Sequence, residues 1–182
     1  MKTDYDVVVV GGGVVGCAVA RGLAQYRIGA CLVERELDVS LGTSCRNSGV
    51  LHSGINYKPG TLRAELAVRG NAMMDDLCRD LKVKIRRIGK LTVALDRDDL
   101  PGIERLHAQG QANGVPGLEI IGPARMRQIQ PDVQGIAALW SPTSAIISPY
   151  GLTIALAENA KANGVDIRLD WPVANVNVLP QG

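Results

Sequence analysis

Val7, Val8, Val9 and Val10 follow one another without a polar break and run into Gly11. An unbroken β-branched run of that length predicts a strand over Asp6–Val10, buried on both faces as in a parallel sheet. Gly11–Gly16 then reads as a turn. Val14–Tyr26 carries small and apolar residues at helical spacing, and "ACLVE" at 30–34 predicts a second strand. Strand, helix and strand together make a βαβ unit. Further on, Lys58-Pro59-Gly60 punctuates the chain and Thr61 can cap a helix on which Leu62, Leu66, Met73, Leu77 and Leu81 fall on one face. A strand is predicted over 91–95 and a polar amphipathic helix over 100–113, stopped by "NGVPG". A short helix over 123–130 and a strand over 136–140 follow, then a turn at "SPTSA". Pro149 suits the first turn of a helix that ends at Asn163-Gly164. Strands are expected over 165–169 and 173–179. No repeat, linker or low-complexity tract interrupts this order.

Composition narrows the function classes. At 182 residues the chain can bury a core, with one domain and part of another expected. A net charge of +2 provides no basic stripe for nucleic acid, and 3% aromatic residues with no Phe leave no base-stacking surface, so no nucleic-acid partner is expected. Cys17, Cys31, Cys45 and Cys78 are scattered, and His52 and His107 are the two histidines, so no metal site is expected. Reduced thiols fit a cytoplasmic protein. The apolar run at the N-terminus is too short to span a bilayer, so no transmembrane segment is expected.

The first chemical signal is Gly11-x-Gly13-x-x-Gly16 between the first strand and the first helix. The first glycine permits a tight turn, the second lets a pyrophosphate approach the backbone, and the third lets helix pack on strand. The helix N-terminus offers free N–H groups and a partial positive charge to phosphates. Glu34 closes the second strand eighteen residues beyond Gly16, where a carboxylate can accept from a ribose hydroxyl pair. This predicts a dinucleotide site without deciding which dinucleotide.

The stretch after that strand bears on the choice. "GTSCRNSGVLHSG" at 42–54 has neither helical nor strand period. Its Gly, Ser, Thr and Asn content suits a backbone wrapped around a polar ligand, and a mobile surface loop would have a similar composition. A flavin dinucleotide extends across the fold and needs such a second cradle for its ribityl chain and ring.

With "VVVVGGGVVGCAVARGLA", "LVERE", "GTSCRNSGVLHSGINYKPGTLRAELAVRGNAMM", "GKLTVAL" and "SAIISPYGLTIALAENAKANGVDI", nearly the whole chain resembles the N-terminal half of the D-amino-acid-oxidase-like FAD oxidoreductases. Within them it resembles the glycerol-3-phosphate and L-2-hydroxyglutarate dehydrogenase branch. The resemblance implies an α/β fold: a Rossmann-like FAD-binding domain of glutathione-reductase type, with the start of an interleaved α+β substrate domain, truncated. The implied division is 1–80 and 146–182 for the FAD-binding domain and 81–145 for the substrate domain.

The resemblance implies site residues as well. Gly11, Gly13 and Gly16 would hold the pyrophosphate of FAD, and Glu34 the adenosine ribose with Arg35 beside it. Thr43 and Ser44 would line the pyrophosphate and ribityl path. Arg46, Asn47, Ser48, Gly49 and Val50 would pass along the flavin, and the backbone of Val173 would meet the adenine. Cys45 departs from the family pattern and has no assigned role. Such enzymes pass hydride from an alcohol carbon to flavin, and the protein removes the hydroxyl proton, a task suited to imidazole. His52 is the candidate catalytic base, with flavin hydrogen bonding or a covalent link as its other possible roles. Tyr57 is the second catalytic candidate, pointing a hydroxyl at a substrate oxygen or only covering the core edge. Arg63 and Arg69 are expected to be solvated, and His107 to lie at the surface.

The implied partners are a small anionic hydroxy substrate and a quinone or another electron acceptor, with peripheral attachment to the inner face of a membrane left open. Glycerol 3-phosphate is the first expectation for the substrate and L-2-hydroxyglutarate the alternative; a non-catalytic nucleotide-binding module is the reading from another class. Relatives are expected to continue well past Gly182 with further flavin contacts and anion-binding arginines. The 182-residue chain alone is therefore expected to bind FAD poorly and to turn nothing over.

Overall fold

The structure is a computed structural model that describes residues 4–178. Those residues form two compact units. The first comprises 4–48, Arg79–Val83 and 148–178; the second comprises Gly49–Cys78 and Lys84–Ile147. The units part after Ser48, so most of the segment up to residue 80 groups with the 84–147 stretch.

In the first unit, strand β1 (Val7–Val10) leads through helix α1 (Val14–Leu23) to strand β2 (Ala30–Val33), which pairs parallel to β1. The third strand of this sheet comes from the far end of the chain. We number it β9 (Asp166–Arg168); it pairs parallel with the other side of β2, for the order β1-β2-β9. Helix α5 (Pro149–Ala162) precedes it, opened by Ser148, whose hydroxyl accepts from the Gly151 N–H at 3.0 Å. Helices α1 and α5 bury small residues, Cys17 and Ala20 on one and Ala157 and Ala160 on the other. Small side chains let two helix backbones come close. Arg21 Nε also bridges them by donating to Asn159 Oδ1 at 3.1 Å.

The burial of this sheet corrects one expectation. β2 is buried throughout, but β1 alternates: Val8 and Val10 are exposed while Val7 and Val9 are half-buried. β2 lies between two strands, whereas β1 pairs with β2 alone among the described strands, so an apolar run does not by itself secure burial on both faces. A second correction concerns residues 173–178, where a strand was expected: they form no strand, and Val176 and Val178 stand exposed. No partner strand in the described residues takes up their backbone. The rest of that expectation, Leu179, lies outside the described residues.

The second unit is antiparallel. Strands β5 (Lys90–Ala94), β6 (Glu119–Ile121) and β7 (Ala137–Ser141) form a sheet in the order β5-β7-β6. The alternation along β7 feeds two cores. Ala137 and Leu139 join Ile55, Ile103 and Val115 on the side of helix α3 (Leu100–Ala112). Ala138 and Trp140 join Met126 on helix α4 (Pro123–Ile129). A smaller sheet takes β3 (Val50–Leu51), β8 (Ala145–Ile147) and β4 (Ile85–Arg86), with β8 in the middle. The Gly42–Gly54 stretch therefore contains a two-residue strand, and a 3-10 turn at Thr43–Cys45, neither of which its composition predicts.

Helix α2 (Leu62–Asp80) begins where Thr61 predicts, its hydroxyl accepting from the Ala64 N–H at 3.3 Å. Its buried face is not the one that carries the leucines at its start. Leu62, Leu66 and Met73 are exposed, and the buried positions are Ala64, Asn71 and Cys78. Asn71 explains the rotation. Its Nδ2 donates to the carbonyls of His52 and Thr143, both at 3.0 Å, while Oδ1 accepts from Arg87 Nη1 at 2.7 Å. Arg87 also reaches the Asn71 carbonyl at 2.8 Å and the Asp75 carboxylate at 2.6 Å. Turning the leucines inward would expose this network and leave the His52 carbonyl without its Asn71 donor.

Replacing Asn71 with Ala removes three hydrogen bonds from a buried position and takes the side-chain donor from the His52 carbonyl, while the Thr143 carbonyl keeps the Arg87 guanidinium. Asn71→Ala is expected to lower unfolding free energy by about 2–3 kcal/mol in denaturant titrations. A loss below about 0.5 kcal/mol would show that the network does not hold α2 in place.

Candidate functional site

The Gly-rich turn owes its shape to missing side chains. Gly11 has φ +106°, a conformation that side chains rarely tolerate. A Cβ on Gly16 would lie 1.9 Å from the Gly11 carbonyl oxygen, so only glycine lets α1 start this close to the end of β1. Gly12 is gripped from several directions. Its N–H donates to Glu34 Oε2, and its carbonyl accepts from the Ser40 N–H at 2.9 Å and the Cys17 thiol at 3.4 Å. Ser40 itself is buried at φ +70°.

The N-terminus of α1 meets the residues after β2. Val14 N–H, one of the unpaired donors of a first helical turn, donates to Ser44 Oγ at 2.9 Å. A Cβ on Gly13 would come within 3.1 Å of the same hydroxyl oxygen. Asn47 Nδ2 fastens the 3-10 turn by donating to the carbonyls of Ser44 at 2.9 Å and Thr43 at 3.3 Å.

These elements frame a groove of about 450 Å³ in the first unit. Gly11 and Gly13 line it along with Glu34, Arg35, Thr43, Ser44 and Val173. Gly16 supports the turn from behind. Glu36, Trp171 and Pro172 also line the groove. Trp171 had one signal in the sequence, an aromatic residue in a chain poor in them, just before the Pro172-Val173 segment. Arg46, Asn47 and Ser48 are exposed and, with Gly49 and Val50, do not line this groove. Arg35 pairs with Glu36 at 3.1 Å on the surface.

Electrostatically the groove is asymmetric. At one end, beside Gly13, stands the N-terminal partial positive charge of α1, fit for phosphate; at the other the Glu34 carboxylate accepts the backbone N–H groups of Gly12 and Glu36. Each carboxylate oxygen keeps a free lone pair, so Glu34 can take a ribose hydroxyl without releasing the turn. Cys17, beneath the turn, is fully buried. Desolvation, with a smaller contribution from the Glu34 charge, pushes its thiol up to about 11 from an ordinary value near 9. A thiol held protonated is neither a nucleophile nor a metal ligand. Among the described residues no group of three or more His, Cys, Asp or Glu could hold a metal ion.

His52 and Tyr57 belong to the second unit. His52 follows β3 with its side chain exposed and its carbonyl fixed by Asn71. The Tyr57 carbonyl accepts from Asn113 Nδ2 at 2.7 Å, and the Arg63 guanidinium lies 4.7 Å from the centre of the Tyr57 ring. Arg63 was expected to be merely solvated; it stays exposed but stacks on this phenol. Arg69 is exposed and paired with Glu65 at 3.3 Å. His107 is half-buried on α3, more sheltered than a surface position. No helix among the described residues is long and apolar enough to cross a membrane.

The family model for FAD dependent oxidoreductases (DAO) matches residues 6–180. A glycerol 3-phosphate dehydrogenase of Caloramator mitchellensis is 41% identical over 94% of the chain, and the match covers 36% of that protein. A mitochondrial L-2-hydroxyglutarate dehydrogenase of Caenorhabditis briggsae is 36% identical over 94% of the chain and 40% of its own length. The chain therefore spans well under half the length of these relatives. Among solved structures, the FAD-bound L-alpha-glycerophosphate oxidase of Mycoplasma pneumoniae superposes on the whole chain with a TM-score of 0.92 at 31% identity, covering 48% of that protein.

Two measurements test the turn. Gly16→Ala is expected to destabilise the first unit by more than about 3 kcal/mol, since the clash is with backbone; an unfolding curve matching the wild type would refute that packing. The Cys17 thiol binds its proton more tightly when folded, so its contribution is complete below pH 9 and lost as pH rises towards 11. The stability difference between wild type and Cys17→Ala should shrink by on the order of 2 kcal/mol across that window. A pH-independent difference would contradict the buried, protonated thiol.

Proposed function

Since the chain belongs to the family of FAD-dependent oxidoreductases, we propose that its residues serve a dehydrogenase that oxidises the secondary alcohol of glycerol 3-phosphate. The observation that carries the substrate is the 41% identity to a glycerol 3-phosphate dehydrogenase along nearly the whole chain. The structural likeness to a glycerophosphate oxidase supports it. L-2-Hydroxyglutarate is the second reading, favoured by the 36% identity to an enzyme named for that substrate. Both are anionic secondary alcohols.

The groove fits the adenosine and pyrophosphate part of FAD: a helix N-terminus for phosphate, a cradle beside Gly13 where a Cβ would press on Ser44 Oγ, and a carboxylate with free lone pairs for ribose. Gly11, Gly13, Thr43 and Ser44 would hold the pyrophosphate, Glu34 and Arg35 the ribose, and Val173 the adenine. Arg46, Asn47, Ser48, Gly49 and Val50 would contact the remainder. When bound, FAD supplies the hydride acceptor, and a quinone or other carrier takes the electrons onward. We assign 1–48 and 148–178 chiefly to cofactor binding and much of the remainder to the substrate domain.

In this reading His52 takes the hydroxyl proton of the substrate on an imidazole nitrogen. The Asn71–His52 hydrogen bond limits backbone drift of that residue and so helps orient the ring. Tyr57 donates its hydroxyl to an anionic oxygen, and the stacked Arg63 adds positive charge beside it.

The test is anaerobic reduction of the FAD-loaded full-length protein by each substrate, followed by flavin absorbance. Glycerol 3-phosphate should bleach the flavin faster than L-2-hydroxyglutarate. His52→Ala should slow bleaching roughly 100-fold or more while FAD stays bound. Bleaching by L-2-hydroxyglutarate alone would transfer the assignment to that substrate. Bound flavin that neither substrate reduces would favour a non-catalytic nucleotide-binding module.

A further inference from the structure

The far end of the groove carries an aromatic assembly that the cofactor contacts above do not use. Trp171 lines the groove with its side chain about half exposed. One face of its indole is covered by the Arg168 guanidinium, 4.6 Å from the ring centre. That guanidinium is also 5.4 Å from the centre of the Tyr5 ring, and its Nη2 donates to the Tyr5 hydroxyl at 2.7 Å. The Tyr5 hydroxyl in turn donates to Asp166. A cation lying over two aromatic rings, with an N–H donated to the Tyr5 hydroxyl, holds the indole in place.

The backbone beneath is tied to the ribose-binding residue. Glu34 N–H donates to the Arg168 carbonyl at 2.9 Å, and Trp171 N–H donates to the Glu34 carbonyl at 2.8 Å. Asp170, at φ +56°, makes the bend between them, and its N–H donates to the Glu36 carbonyl at 2.9 Å. Glycine turn, Glu34 and Trp171 therefore succeed one another in the order in which a nucleotide presents pyrophosphate, ribose and base.

We propose that Trp171 is a binding residue for the adenine of the cofactor, an aromatic platform that Arg168 holds from behind. The inference rests on the groove being the nucleotide site. An indole already fixed loses little rotamer freedom when a base stacks on it, and the uncovered part of a large apolar ring gains from being covered. Arg168 is a positioning residue here, acting through the indole.

The experiment uses the chain labelled with 5-fluorotryptophan, which gives one fluorine NMR signal each for Trp140 and Trp171, with ADP as the probe. Trp171→Phe identifies the second signal. ADP should shift the Trp171 signal saturably and leave Trp140 still, and pyrophosphate should move neither. Trp171→Leu should raise the Kd for ADP about tenfold, and Trp171→Phe should keep it within about threefold. Arg168→Gln should displace the Trp171 signal even without nucleotide. ADP binding with a static Trp171 signal and an unchanged Kd in Trp171→Leu overturns the platform while leaving the nucleotide site standing. Failure of the chain to bind ADP at all overturns both.

Discussion

The first unit depends on how closely one turn of chain lies against itself and against the end of a strand. The Gly11 carbonyl occupies the space where a side chain on Gly16 would begin, which brings the start of α1 directly under the turn. At that distance the start of the helix stands beside the groove at Gly13, and Gly12 comes within reach of Glu34, Ser40 and Cys17. The placing of the helix start and of the hydrogen bonds around Gly12 thus follows from one steric fact. Cys17 shows its other side: a residue buried so tightly under the turn is a packing group, and its thiol stays protonated.

The second unit meets a similar need by other means. Where the first unit uses absent side chains, this one uses buried polar ones. Asn71 spends both amide protons on carbonyls from two distant segments, and Arg87 holds its oxygen in place. Ser141, also buried, donates to Ser53 at 2.8 Å and lies 3.3 Å from Ser144, so the residue after His52 is tied to the end of β7. Short irregular segments can be held rigidly this way because each buried hydrogen bond is expensive to leave unmade. The polar composition around His52 is what such anchoring requires.

Legibility varied with the range of the interactions involved. Strand β1, helix α1 and strand β2 were readable because a β-branched run, a glycine spacing and a helical period are properties of neighbouring residues. The cap at Thr61 and the helix start at Pro149 were readable for the same reason, and so was the stop at Asn163-Gly164. The exposure of Leu62, Leu66 and Met73 was not legible because helical period says which residues share a face, not which face is turned inward. The exposure of Val8 and the missing strand after Pro172 have the same origin: burial and pairing need a neighbour, and the neighbour is not written beside them. In the groove, Gly13, Glu34 and Ser44 had local or family signals, whereas Trp171 depends on a bend at Asp170 and a stack on Arg168.

The sequence by itself determined the βαβ unit, the glycine turn, the acidic residue that closes β2, and membership of a flavin-dependent family, because these are written in short spacings and shared motifs. Tertiary structure alone decided which face of α2 is buried, that β9 completes the sheet beside β2, that Asn71 secures the backbone at His52, and that Trp171 stands beside Glu34. Each of these joins segments far apart in the chain. Such joins depend on competing burial and hydrogen-bond satisfaction across the whole unit, which no local pattern encodes.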